Sequence, residues 1–177
     1  MSGPKLSIGF VTWDYDPPIG GMGRHVQSLA AGLQASGHRI RLFSRYNLRL
    51  PFGRSILFSL FLHFPLKRWI RNIRPDLLHV HAGPGGVFLL FRPKDLPLIV
   101  TANHTYRDQV RFVGEYWKRL LIPFERRTYR LADHILCVSE GTAFSLIHDY
   151  GIPKAKLTLV PCGIDVASFS DHDLSLP

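Results

Sequence analysis

The sequence predicts an α/β domain with a doubly wound, mostly parallel sheet. Three observations carry that expectation: short apolar runs rich in β-branched residues alternate with stretches of helical spacing from one end to the other, the first strand-like run passes through a glycine-rich loop into a helix, and neither an internal repeat nor a low-complexity segment interrupts the pattern. Leu6 to Thr12 reads as a buried strand. Trp13 to Gly23 is a loop with two prolines and three glycines. Val26, Leu29, Ala30 and Leu33 then recur at helical spacing, Gly37 supplies the stop, and Ile40 to Ser44 is the second strand. Strand, loop, helix, strand is a βαβ unit, which favours parallel pairing and right-handed crossovers.

The alternation continues. A helix ends near Arg74-Pro75, and Asp76 to His81 follows as a strand. Leu98 to Thr101 is another, opened by Pro97. Glu115 to Leu131 shows helical spacing through Leu120, Leu121, Phe124 and Leu131. His134 to Val138 is a strand, Gly141 to Tyr150 a helix stopped by Gly151, and Leu157 to Val160 a last strand closed by Pro161. In a sheet wound this way, ligands sit beyond the carboxyl ends of the strands.

Two familiar phosphate-binding devices do not fit the glycine loop. Gly21 and Gly23 supply G-x-G, but Val26 stands where a dinucleotide fingerprint needs its third glycine. The second strand ends in Ser44-Arg45, where an acidic partner for a ribose is required. No Gly-Lys-Ser/Thr follows, so this is no Walker loop. Two readings remain open: a backbone approach to an anion at a helix N-terminus, and a plain tight turn.

Composition bounds the rest. A chain of 177 residues with 46% hydrophobic content implies one globular domain. Two cysteines, Cys137 and Cys162, make neither a disulfide framework nor a zinc spacing, and no secretory signal is visible at the start. A cytoplasmic chain is the expectation. The formal net charge is +9, and the stretch from Arg39 to Arg74 holds nine basic residues and no Asp or Glu. Such one-sidedness suggests an anionic partner, lipid headgroups before nucleic acid, for which no aromatic-and-basic motif is present. Ser55 to Leu66 is apolar but too short to span a bilayer, which takes roughly 20 residues. With Arg54, Lys67, Arg68, Trp69 and Arg71 around it, it fits either a peripheral helix on the inner membrane face or a helix packed on the sheet.

Five segments bear a family likeness. Gly20-Gly21-Met22-Gly23-Arg24-His25-Val26, then Leu29-Ala30, Leu33 and Gly37-His38, resembles the start of the retaining glycosyltransferase family 4, of GT-B fold. Pro75 to His81, Val100 to Thr105 and Ala132 to Ser139 are similar to three further segments of that family, in the same order. Val160-Pro161-Cys162-Gly163-Ile164-Asp165 is similar to its exit from the first domain, except that Cys162 stands where an Asn is usual.

The resemblance implies an N-terminal, acceptor-side, Rossmann-like domain over 1–177, with a hinge near 161–177. The nucleotide sugar and the family's paired glutamates are expected on a second domain beyond this chain. The chain is then either a fragment or half of a split enzyme, inactive alone. It further implies a hexosyltransferase type of reaction on a glycan or lipid-linked acceptor, with the nucleotide sugar as substrate, no cofactor, no metal and no nucleic acid. Gly20, Gly21 and Gly23 would face the donor diphosphate, and His104 would contact the transferred sugar as the catalytic histidine. Asn103 and Thr105 flank His104. His81 is expected nearer the cleft than the core residue His79. Ser139 and Glu140 are expected near the acceptor, with a helix-capping role open for Ser139. Arg107 and Arg111 would meet an anionic acceptor or line a solvated helix face. Two alternatives are a non-catalytic membrane-docking or acceptor-binding subunit, and half of a GT-B nucleotide-sugar epimerase.

Overall fold

A computed structural model describes residues 3–48 and 55–163. Its core is one sheet of six parallel strands: β1 (Ser7–Val11), β2 (Arg39–Phe43), β3 (Leu77–Ala82), β4 (Leu98–Ala102), β5 (His134–Cys137) and β6 (Leu157–Leu159), in the order β2-β1-β3-β4-β5-β6. The chain leaves β1 toward β2 and returns on the other side as β3, so the loops after β1 and β3 part and open a crevice above their carboxyl ends.

Side-chain alternation along β1 assigns the two faces of the sheet. Ile8 and Phe10 pack with Val26 and Ala30 of α1 (Gly21–Ala35). Val11 points the other way, into the larger core with Phe43, Phe58, Leu62, Leu66 and Tyr129. Helices α2 (Ser55–Phe61), α3 (His63–Ile73), α5 (Ile122–Leu131) and α6 (Glu140–His148) contribute to that second layer, and a short α4 (Tyr106–Asp108) follows β4. Gly37, at φ +90°, ends α1 with its N–H bonded to the Gln34 carbonyl.

Three expectations need revision. Gly21 and Gly23 are not loop residues but the first turn of α1. The helix expected over 115–131 is two pieces, a 3₁₀ stretch over Tyr116–Leu121 and then α5, with Pro123 in the first turn of α5. Proline has no N–H and clashes with the preceding turn, so it starts a helix and does not sit in its middle. Trp69 does not face an anionic surface. Its ring lies 5.4 Å from that of Phe43 and fills the space left by the missing side chain of Gly9. Lys67, Arg68 and Arg71 are exposed, whereas Arg54 and the proposed hinge beyond 163 lie outside the described residues. The apolar stretch serves both faces: Phe58, Leu62 and Leu66 are buried, while Leu57, Leu60, Phe61 and Phe64 are exposed. Among the described residues no helix is long and apolar enough to cross a membrane.

Candidate active site

The crevice holds a cleft of about 640 Å³ between the start of α1, the loop after β3 and the end of β4. Asp14, which sequence reasoning passed over, organises one wall. Its buried carboxylate accepts from the N–H groups of Ile19 and Gly20, both at 2.9 Å, and meets the Arg45 guanidinium at 3.4 Å. The loop therefore closes on a carboxylate of its own, and the Gly20 N–H is already engaged. What remains toward the cleft is the N-terminus of α1, opened by Gly21 and Met22 with no side-chain cap. An uncapped helix start presents free N–H groups and the positive end of the helix dipole.

The three glycines divide by role. Gly20 and Gly21 line the cleft. Gly23 is buried and absent from its wall, because it lies against Asp14 and Pro18: a Cβ there would stand 2.5 Å from the carboxylate and 2.9 Å from Pro18 Cβ. Its lack of a side chain serves packing.

On the opposite wall, His104 lies two residues past the end of β4, beside Asn103. The Nε2 of His104 lies 3.1 Å from the side-chain nitrogen of Gln109, whose oxygen accepts from Lys118, itself paired with Glu115. Lys118 thereby sets the amide orientation, so Gln109 donates to Nε2 and the imidazole proton sits on Nδ1. Burial, aided by Lys118 and opposed by Asp108, holds the His104 pKa below its ordinary value, which keeps the ring neutral near pH 7. Gly83, at φ +99°, brings the loop after β3 so close that a Cβ would stand 2.5 Å from the His104 carbonyl. Two buried donors at the crevice, Asn103 Nδ2 and Trp13 Nε1, have no partner among the described residues. Orphaned buried donors are rare, and at a cleft they mark where a ligand's acceptors belong.

His81 does not reach the cleft. It is fully buried on the α1 side of the sheet, its ring 5.6 Å from that of Phe10, while the Val87 N–H of the loop after β3 donates to its carbonyl at 2.9 Å. Its ring stacks on His79 at 4.7 Å and lies 6.1 Å from His25, a cleft residue. His79 is the satisfied core histidine expected, paired with the Thr101 hydroxyl at 2.7 Å, and burial pushes its pKa down to about 4.

A second cleft of about 430 Å³ shares Asn103 and His104 with the first and runs to Ser139, Phe144, Arg111 and Phe112. Thr105 is fully buried and does not line it. Its hydroxyl caps α4, accepting from Asp108 N–H, because a helix start needs an acceptor there. Ser139 caps α6 in the same way and also lines the cleft. Glu140 is exposed in the first turn of α6 and lines neither cleft. Arg107 pairs with Asp149 at 3.1 Å.

Beneath this wall, the buried Glu125 carboxyl accepts from Tyr106 N–H at 3.0 Å, from Tyr129 hydroxyl at 3.2 Å and from Tyr150 hydroxyl. Burial pushes its pKa up to about 8 against the pull of those donors. It anchors the turn that carries Gln109. The sequence signals were weak: Asp14 is a single polar residue in a loop and Gln109 one in a short helical segment, and only their position past a strand end could have singled them out.

Solved structures share this fold. A glycosyltransferase from Rickettsia africae superposes with a TM-score of 0.57 at 14% identity, over 95% of this chain and 46% of that one. A UDP complex of S. aureus MnaA gives 0.62 at 15% identity, over 97% and 49%. An α-glucosyltransferase bound to UDP and a 13-mer DNA gives 0.58 at 12%, over 93% and 44%. The chain thus spans less than half the length of each. No curated protein matches the sequence. The family model for Glycosyltransferase Family 4 matches residues 19–168, most of the sequence, and it is to this family, with its Rossmann-like GT-B domain, that the chain belongs.

Proposed function

We propose that this domain is the acceptor side of a retaining glycosyltransferase that moves a hexose from a nucleotide-diphosphate sugar. The observation that carries the reading is the uncapped start of α1 opening on the same cleft as a neutral His104 and two orphaned donors. Departure of a nucleoside diphosphate accumulates negative charge on its phosphates. The free N–H groups at Gly21 and Met22 and the α1 dipole stabilise that charge without reorganising. At the sugar, positive charge develops at the anomeric carbon. A protonated histidine beside it would oppose that charge, whereas neutral His104 offers the Nδ1–H to a sugar oxygen. Nucleotide sugar binds mainly to a second domain, and the acceptor occupies the cleft between His104 and Phe144.

The test joins residues 1–177 to a nucleotide-sugar-binding domain in one polypeptide and follows labelled sugar from nucleotide sugars into acceptors. Transfer is expected only with the second domain present. His104→Ala should lower kcat by about 10²–10³, the usual loss of one preorganised donor, with the unfolding transition unchanged. Transfer by the 177-residue chain unaided would refute the division of labour. Release of epimerised nucleotide sugar without acceptor would replace transfer with epimerisation.

The outward face of α2 and α3 supports a further role in docking on an anionic membrane. Leu57, Leu60, Phe61 and Phe64 are exposed beside Lys67, Arg68 and Arg71. Anionic vesicles should co-sediment the chain, and replacement of the three cations by Gln should abolish it. Unchanged binding by that variant would remove the electrostatic part of the idea.

A further inference from the structure

A third cleft, of about 530 Å³, adjoins the acceptor cleft through a shared wall, Arg111. Three guanidinium groups line it, those of Arg107, Arg111 and Arg119, with Tyr116 and Ile122. Among the described residues one carboxylate answers them. Asp149 Oδ1 takes Arg107 at 3.1 Å and Arg111 at 3.5 Å. Arg119 makes no ion pair among the described residues and lies over the Tyr116 ring, 5.4 Å from its centroid. Three cations against one anion leave a local excess of two positive charges. The Asp149 side chain is 12% exposed while those of Arg107 and Arg111 are 45% and 49% exposed, so the less exposed carboxylate holds the two arginines from behind and leaves them facing outward. The pocket is thus built to stay positive. Exposed aromatics stand at its border: Tyr116 lines it and Phe112 lines the adjoining acceptor cleft, each more than half exposed.

From this arrangement we infer that the acceptor carries a phosphoryl group, seated between Arg111 and Arg119 while its reacting hydroxyl lies at His104. The inference rests on the glycosyl-transfer reading of the His104 cleft and adds to it the chemical class of the acceptor. Arginine forks match phosphate oxygens in pairs, and a phosphate monoester or diphosphate brings the roughly two negative charges that the pocket lacks. His104 and Arg111 line the same cleft of about 430 Å³, so one small acceptor reaches both. The rim aromatics would contact an apolar portion beyond the phosphate.

Phosphate in this position comes from a lipid headgroup or from a soluble ester. The experiment measures binding of monomeric octyl phosphate, and of phosphatidylcholine vesicles with and without phosphatidic acid, to the 177-residue chain at constant ionic strength. Arg111→Gln and Arg119→Gln should each weaken binding about tenfold, the loss of one charge-assisted contact, without moving the thermal transition. Saturation by octyl phosphate alone identifies a soluble ester. Arg111- and Arg119-dependent binding seen only on phosphatidic acid vesicles identifies a lipid. The inference is overturned if neither probe binds in a way that depends on these two arginines. It is also overturned if Arg39→Gln, the same single charge removed from an exposed strand position elsewhere, weakens octyl phosphate equally. No donor is present in this measurement, so its failure leaves sugar transfer standing, and lost transfer with intact phosphate binding indicts the reaction alone.

Discussion

Replacing Gly21 and Gly23 by alanine, one at a time, asks whether the glycine motif is about ligand approach or packing. Both lie in the first turn of α1, and alanine removes the same backbone freedom at each. At Gly21 nothing stands within 4 Å of an added Cβ. Gly21→Ala should therefore stabilise, by up to about 1 kcal/mol, through helix propensity. At Gly23 the Cβ meets Asp14 Oδ2 at 2.5 Å and Pro18 Cβ at 2.9 Å. The proline ring cannot turn aside, and Asp14 is held by the Ile19 and Gly20 N–H groups. Overpacking costs about 1–3 kcal/mol. Displacing Asp14 forfeits charge-assisted hydrogen bonds worth about 1.5–3 kcal/mol each. Against the propensity gain, Gly23→Ala should lose about 2–4 kcal/mol, on the order of 10 °C in Tm for a chain this size. Urea denaturation followed by circular dichroism reads both variants, with the slope m expected unchanged. Adding Asp14→Ala to Gly23→Ala should cost less than the two separate losses together, since both act on one contact. If Gly23→Ala proves as stable as Gly21→Ala, the packing account of that glycine is wrong.

The remaining expectations concern the buried ionisable groups. Glu125→Ala strands three donors and should cost about 3–5 kcal/mol. Glu125→Gln keeps an acceptor oxygen and is neutral, like a carboxyl whose pKa is pushed up to about 8, so at pH 7 it should cost far less, and equal losses in the two variants would show the carboxyl ionised. His79 works through acid: its pKa falls from 6.5 to about 4 on folding, so the unfolded chain gains a proton first and stability drops as pH falls through that window. The drop is worth about 3 kcal/mol at about 1.36 kcal/mol per pH unit, and His79→Asn should flatten it in acid denaturation curves. Glu125 has the opposite slope from pH 4.5 to about 8, which makes comparison of variant with parent at each pH the informative measurement.

The parallel sheet was legible because its inner strands are buried on both faces and read as apolar runs, as in Leu98 to Thr101. His79 and His81 show where legibility stops. Period-two alternation put both on one face correctly, and their rings do stack at 4.7 Å. Nearness to the strand end suggested that His81 reaches the cleft, but its ring is buried against Phe10, His79 and His25 of α1, and the way a helix packs over a strand end leaves no periodic trace in the strand. Thr105 and Gly23 failed likewise: beside recognisable site residues, they serve a cap and a close contact.

The sequence by itself determined the fold class, the family and the two places where the cleft would open, the start of α1 and the end of β4. These follow from local pattern: apolar period, glycine at a strand-to-helix junction, polar residues past a strand end. Only the tertiary structure decided which polar groups are free. Asp14 takes the Gly20 N–H, Lys118 orients Gln109 toward His104, and Asp149 reaches Arg107 and Arg111 from some forty residues away, leaving Arg119 without an ion pair among the described residues. Charge balance and hydrogen-bond satisfaction depend on distances between segments remote in the chain, and those distances exist only once the sheet has brought its strand ends together.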